Sequence, residues 1–160
     1  MPIPFFNSIA SWILKKRIHQ IELFMKYPNE VQRELLSDLI DFCKRTEIGL
    51  KNEFSTIKNY DDFKKRLPII SYDDLEPKIN KCREGVKNIL WPTPIKWFAK
   101  SSGTTNSKSK FIPVSLESLE DCHYKGGKDM LSLYFNNNPN SNLLSGKCLR
   151  LGGSQEIYQK

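Results

Sequence analysis

Ser101-Ser102-Gly103-Thr104-Thr105 puts four hydroxyls and five backbone N–H groups into one short stretch, with Lys108 and Lys110 close behind. Successive N–H groups in a turn of small residues form a concave anion site, and a lysine ammonium adds a point charge. Such a set suits the phosphates of a nucleotide. A short apolar run, Trp97-Phe98-Ala99, leads in, and Phe111-Ile112-Pro113-Val114 leads out. This arrangement predicts the tip of a hairpin held by two strands. The segment has neither the Gly-x-x-x-x-Gly-Lys-Ser/Thr pattern of a P-loop nor a dinucleotide-binding fingerprint.

The charge distribution agrees with an anionic ligand. The chain of 160 residues carries a net charge of +7. From Gly85 to Leu116 there is no Asp or Glu, while Lys87, Lys96, Lys100, Lys108 and Lys110 all fall inside, so +5 of the +7 surrounds the loop. A local positive field draws anions. The lysines do not follow one helix face and no nucleic-acid module is visible, which argues against nucleic acid as the partner. A solvated basic face, or a basic module for an acidic partner, remains the alternative.

An apolar fraction of 39% is enough for a core, and 27% charged residues is ordinary for a soluble surface. No run approaches the ~18 apolar residues that a membrane helix needs. The apolar run Ile9 to Leu14 precedes the basic cluster Lys15-Lys16-Arg17 and no small-residue cleavage site follows, so the start does not read as a signal peptide. Cys43, Cys82, Cys122 and Cys148 are 39, 40 and 26 residues apart, without the close spacing of a zinc or redox motif. Reduced, mostly buried thiols in a cytoplasm are expected. No residue is assigned a catalytic or metal-binding role; Cys122 beside His123 is not a nucleophile pair, because sequence neighbours on a helix diverge.

The elements that must hold the loop follow from periodicity. Residues 8–26 read as an amphipathic helix through Ile9, Trp12, Ile13, Ile21, Phe24 and Met25. The Tyr27-Pro28-Asn29 break ends it. Asn29 is expected to cap a second helix to about Thr46, striped by Val31, Leu35, Leu39, Phe42 and Cys43 and closed by Gly49. Asp61 or Asp62 starts a short helix ending before Pro68, and Ser71 or Asp73 starts another that Gly85 stops. Asn88 to Pro94 is a connector. Strands are predicted at about 96–100 and 111–114, with Pro113 favouring an edge or strand end because it cannot donate to a ladder. Ser115 caps a long helix to about Phe135, with close packing or a break expected at Gly126-Gly127. Asn136 to Asn140 is a loop, and 147–151 returns as a strand. The class is α/β, with residues 1–95 mainly helical and 96–160 running strand, loop, strand, helix, strand in a mixed sheet.

The wider string, Trp97-Phe98-Ala99-Lys100-Ser101-Ser102-Gly103-Thr104-Thr105 and then Lys110-Phe111-Ile112-Pro113, resembles the phosphate-binding motif of adenylate-forming enzymes. It is most similar to the Gretchen Hagen acyl-acid amido synthetase family, also called auxin-responsive promoter proteins. Asp61-Asp62-Phe63, Leu67-Pro68-Ile69, Tyr72-Asp73-Asp74-Leu75, Gly85, Leu90-Trp91-Pro92 and Leu151-Gly152-Gly153-Ser154 extend the resemblance over about residues 10–155. One departure is Ser107, where many members place glycine; serine disfavours positive φ.

The resemblance implies a two-step reaction on small molecules. A carboxylate attacks the α-phosphate of ATP to give an acyl-adenylate and pyrophosphate, and an amine, usually an amino acid, then takes the acyl group. By the motif match, Ser101, Ser102, Gly103, Thr104, Thr105 and Lys110 would hold the β- and γ-phosphates with Mg²⁺ assisting, and Lys108 is a further candidate. In that family the adenine pocket, acyl pocket and C-terminal lid follow this motif. The chain is therefore expected to be an N-terminal portion of a larger adenylating domain, inactive alone, with the rest of its own polypeptide as a partner. An acyl–thiol ligase, which shares the adenylation half, is the neighbouring alternative.

Overall fold

The computed structural model describes residues 9, 12–101, 109–145, 147 and 149. Residues 12–15 are helical, and a turn at residues 16 and 17 precedes α1 (Ile18–Lys26), so the expected first helix is interrupted. Helix α2 (Pro28–Cys43) follows at once. Its cap is not Asn29. Pro28 takes the first helical position, where a missing N–H is no loss, and Tyr27 stands at the cap.

The apolar pattern of α2 splits into two faces. Leu36, Ile40 and Cys43 point to the core, whereas Leu35, Leu39 and Phe42 are exposed. The two rows are offset by one residue, about 100° round the helix. The predicted stripe is therefore mostly the outer row, with only Cys43 buried in the core. That core is Ile40, Cys43 and Phe54, packed by Leu36, Ile57, Phe63, Leu67 and Trp91.

Gly49 does not end α2. It lies inside α3 (Glu47–Lys51), whose cap is the fully buried Thr46. Thr46 donates its hydroxyl to the Cys43 carbonyl at 2.7 Å and accepts the Gly49 N–H at 3.1 Å. A Cβ on Gly49 would stand 2.1 Å from the Cys43 carbonyl oxygen, so the glycine is required by close approach. The connector caps the same helix: Glu47 N–H donates to Asn88 O at 2.7 Å and Ile48 N–H to Ile89 O at 3.2 Å.

Helix α4 (Tyr60–Arg66) starts one residue earlier than expected. Asn59 is its cap and accepts the Asp62 N–H at 2.9 Å. Helix α5 (Tyr72–Arg83) begins with a capping box between Ser71 and Asp74 and ends at Gly85, which adopts φ +86°. Strands β1 (Trp97–Lys100) and β2 (Phe111–Val114) pair antiparallel as expected.

After β2, Ser115 caps α6 (Leu116–Ser118), which passes through a π-helical stretch, Leu119–Tyr124, into α7 (Lys125–Asn137). The expectation at Gly126-Gly127 fails: both are inside α7, and a Cβ on either would meet nothing within 4 Å. The irregularity falls one step earlier, in the π-helical stretch. The strand expected at 147–151 lies outside the described residues except for Lys147 and Leu149, neither of which is in a strand. Leu151-Gly152-Gly153-Ser154 also lies outside them. The described chain is mostly helical with one small antiparallel sheet, in keeping with an α/β class. Among the described residues no helix is long and apolar enough to cross a membrane.

Candidate nucleotide-phosphate site

The hairpin is the frame of the site. Its register pairs Trp97 with Val114, Phe98 with Pro113, Ala99 with Ile112 and Lys100 with Phe111. One step beyond, Ser101 N–H donates to Lys110 O at 2.9 Å. Hydrogen-bonded pairs alternate in an antiparallel ladder. By that parity the N–H and C=O of Phe111 face away from β1, as does the position of Pro113. Proline thus sits where no ladder donor is needed, which is the edge placement its chemistry demands.

Ser101 and Lys110 close the mouth of the loop. In addition to the backbone bond, Lys110 N–H donates to Ser101 Oγ at 3.1 Å. The serine hydroxyl has one acceptor site used and keeps its own proton to donate. Both residues are exposed. Ser102, Gly103, Thr104, Thr105 and Lys108 lie outside the described residues, as does Ser107.

Two residues beyond the loop reach into this mouth. Phe111 N–H donates to the Tyr72 hydroxyl oxygen at 3.0 Å, and the Tyr72 O–H faces the Phe111 carbonyl at 3.3 Å. One phenol thus serves both outward-facing backbone groups of one residue. The Lys110 ammonium stands 5.2 Å from the Tyr72 ring centroid, and the Arg83 guanidinium stacks on the Phe111 ring at 3.9 Å. Tyr72 and Arg83 are the two ends of α5. Periodicity and composition could not have found this contact, because 39 residues separate Tyr72 from Phe111.

The far end of the hairpin is fastened too. Trp91 Nε1–H donates to Glu117 Oε2 at 2.9 Å, and the Thr93 hydroxyl lies 3.1 Å from both carboxylate oxygens. Burial pushes the Glu117 carboxyl up, but bonds from its own N–H, Trp91, Thr93 and Ser115 together outweigh it and hold the group below the usual range. The connector and the helix that follows β2 are thereby tied at one carboxylate.

Electrostatically the mouth is positive. Among the described residues, Lys96, Lys100 and Lys110 have no carboxylate partner, whereas Lys78 and Lys81 are both spent on Glu47. Among the described residues no group of His, Cys, Asp and Glu could hold a metal ion. Among the described residues, the mouth offers an anion the Ser101 hydroxyl proton and the Lys110 ammonium, its two backbone N–H groups being already bonded.

A model of the GH3 family N-terminal domain matches residues 17–157. The chain is 31% identical over 107 residues to indole-3-acetic acid-amido synthetase GH3.5 of Arabidopsis thaliana, covering 66% of this chain and 18% of that protein. It is 32% identical over 108 residues to jasmonoyl–L-amino acid synthetase JAR4 of Nicotiana attenuata, covering 64% and 18%. The chain thus spans about a fifth of the length of the curated relatives it matches. With 141 consecutive residues under one family model, the chain belongs to the GH3 family through that family's N-terminal domain.

Proposed function

We propose that this chain supplies the phosphate-holding portion of an ATP-dependent acyl-acid amido synthetase. The observation that carries the reading is the closed mouth of the hairpin, where Ser101 and Lys110 lock together at the two ends of a Ser/Gly/Thr-rich sequence flanked by lysines. The names of the relatives support an acid and an amino acid as the joined substrates.

In the first step a carboxylate oxygen bonds to the α-phosphorus of ATP and the bond to the β-phosphate bridge breaks. An acyl-adenylate and pyrophosphate result. In the second step an amine nitrogen bonds to the acyl carbon, AMP leaves and the nitrogen loses a proton. The chain's part lies in the first step. Ser101, Ser102, Thr104 and Thr105 would donate hydroxyl protons to phosphate oxygens, Gly103 would allow the backbone close to them, and Lys110 with Lys108 would offset charge building on pyrophosphate. Mg²⁺ would come bound to the phosphates of ATP and would offset their charge beside Lys110; the segment from Gly85 to Leu116 carries no carboxylate. The rest of a longer polypeptide would supply the other pockets, in keeping with an alignment that covers 18% of the first relative. A cytoplasmic setting fits the free thiols of Cys43, Cys82 and Cys122.

The test is Thr104→Val with Thr105→Val in the full-length gene product, assayed by ATP–pyrophosphate exchange over a panel of carboxylates. The two changes remove hydroxyls and keep every charge. Loss of exchange by a hundredfold or more, on the order seen for removal of catalytic hydrogen-bond donors, is the expected result; unchanged exchange overturns the assignment. A basic module for acidic partners would instead respond to Lys108 and Lys110 changes and to salt.

A further inference from the structure

We propose that Tyr72 is a positioning residue for the phosphate loop, acting through the backbone of Phe111 on Lys110. The inference rests on the phosphate-holding reading above. Ladder parity turns the N–H and C=O of Phe111 away from β1, where β2 has no strand partner among the described residues. The Tyr72 hydroxyl meets both, at 3.0 and 3.3 Å, and so takes the place of a neighbouring strand at that one residue. Pro113, the next outward-facing residue, has no N–H to satisfy.

Tyr72 is itself held. It is the first residue of α5, directly after the Ser71–Asp74 capping box, in which Ser71 N–H donates to Asp74 Oδ2 at 2.8 Å. The other end of the same helix sends Arg83 onto the Phe111 ring. One helix therefore grips Phe111 by backbone and by ring. Lys110, one residue earlier, is bonded to Ser101 on the other side. With its backbone fixed between these two anchors, the Lys110 ammonium has a defined origin at the loop mouth, and the Tyr72 ring face lies 5.2 Å from it. Removing the hydroxyl alone leaves the ring and the core in place while freeing the strand edge.

The experiment titrates MgATP and adenosine into the full-length gene product as wild type, Tyr72→Phe and Lys110→Ala. Tyr72→Phe should weaken MgATP roughly tenfold, the scale of one or two hydrogen bonds, and leave adenosine unchanged. Lys110→Ala should also weaken MgATP. If Lys110→Ala weakens MgATP and Tyr72→Phe does not, the positioning role is overturned and the phosphate reading stands. If neither variant changes MgATP affinity, both fall. Equal weakening of MgATP and adenosine by Tyr72→Phe would mean a general structural role and overturn the proposal. Should Tyr72→Phe fail to fold, amide exchange on the wild type decides: MgATP should slow exchange at Phe111 and adenosine should not, and no protection by MgATP overturns the proposal.

Discussion

Arg17 and Asp129 join the two ends of the described chain by a forked ion pair. Arg17 Nε donates to Asp129 Oδ1 at 2.5 Å and its terminal nitrogen donates to Oδ2 at 3.2 Å, across 112 residues of sequence. The contact fastens the start of α1 to α7, and both side chains are about a quarter exposed, at 27% and 25%. Asp129→Asn should lower the urea midpoint by the equivalent of about 1 kcal/mol, a two-point pair partly screened by water. Because the pair meets solvent, the difference should shrink in molar salt.

Gly49 and the pair Gly126-Gly127 should respond in opposite directions to alanine. At Gly49 the new Cβ would collide with the Cys43 carbonyl, so α3 or the end of α2 must shift. A loss of about 3 kcal/mol is expected, at the upper end for forced overpacking. At Gly126 and Gly127 the Cβ enters open space on a helix. Each alanine there should gain about 1 kcal/mol from helix propensity. Thermal melting of the three single variants checks the contrast.

Glu47 should shape the acid limb of stability. Hydrogen bonds from Lys78, then Lys81, hold its carboxyl below the ordinary 4.5. A carboxylate whose folded pKa is depressed stabilises the fold above its unfolded value, and that contribution disappears as pH falls through the folded one. Glu47→Gln should therefore lie below wild type in melting temperature at neutral pH, and the gap should close as pH is lowered below the ordinary value.

The thiols should separate by burial. Burial pushes the Cys43 and Cys82 thiols up, and both side chains are in the interior, whereas Cys122 is exposed. Under native conditions iodoacetamide should alkylate Cys122 first and reach Cys43 and Cys82 only on unfolding. Peptide mass spectrometry reads the order directly.

What was legible in the sequence was local. Ser71, Ser115 and Gly85 cap or stop helices through contacts within a few residues, and the hairpin strands around the loop fell where apolar runs put them. What was hidden depends on residues distant in sequence or on small offsets. Gly49 reads as a helix stop, yet its role is set by a carbonyl six residues earlier. The α2 stripe misses the inner row by one residue, since Leu35 and Leu36 are both leucine and periodicity alone does not choose between them. Of the phosphate candidates, the structure describes Ser101 and Lys110 and joins them. Tyr72, which bonds the backbone of the next residue, Phe111, sits in a motif that resembles the family's but carries no spacing signal toward the hairpin.

The proposed function places this chain in a carboxylate adenylation. The direct measurement is product analysis with ATP labelled in the α-phosphate, using the full-length gene product and a panel of carboxylates. Adenylation puts the label in an acyl-adenylate or AMP, with pyrophosphate released in equal amount. Label recovered as ADP, with inorganic phosphate released in its place, would contradict it.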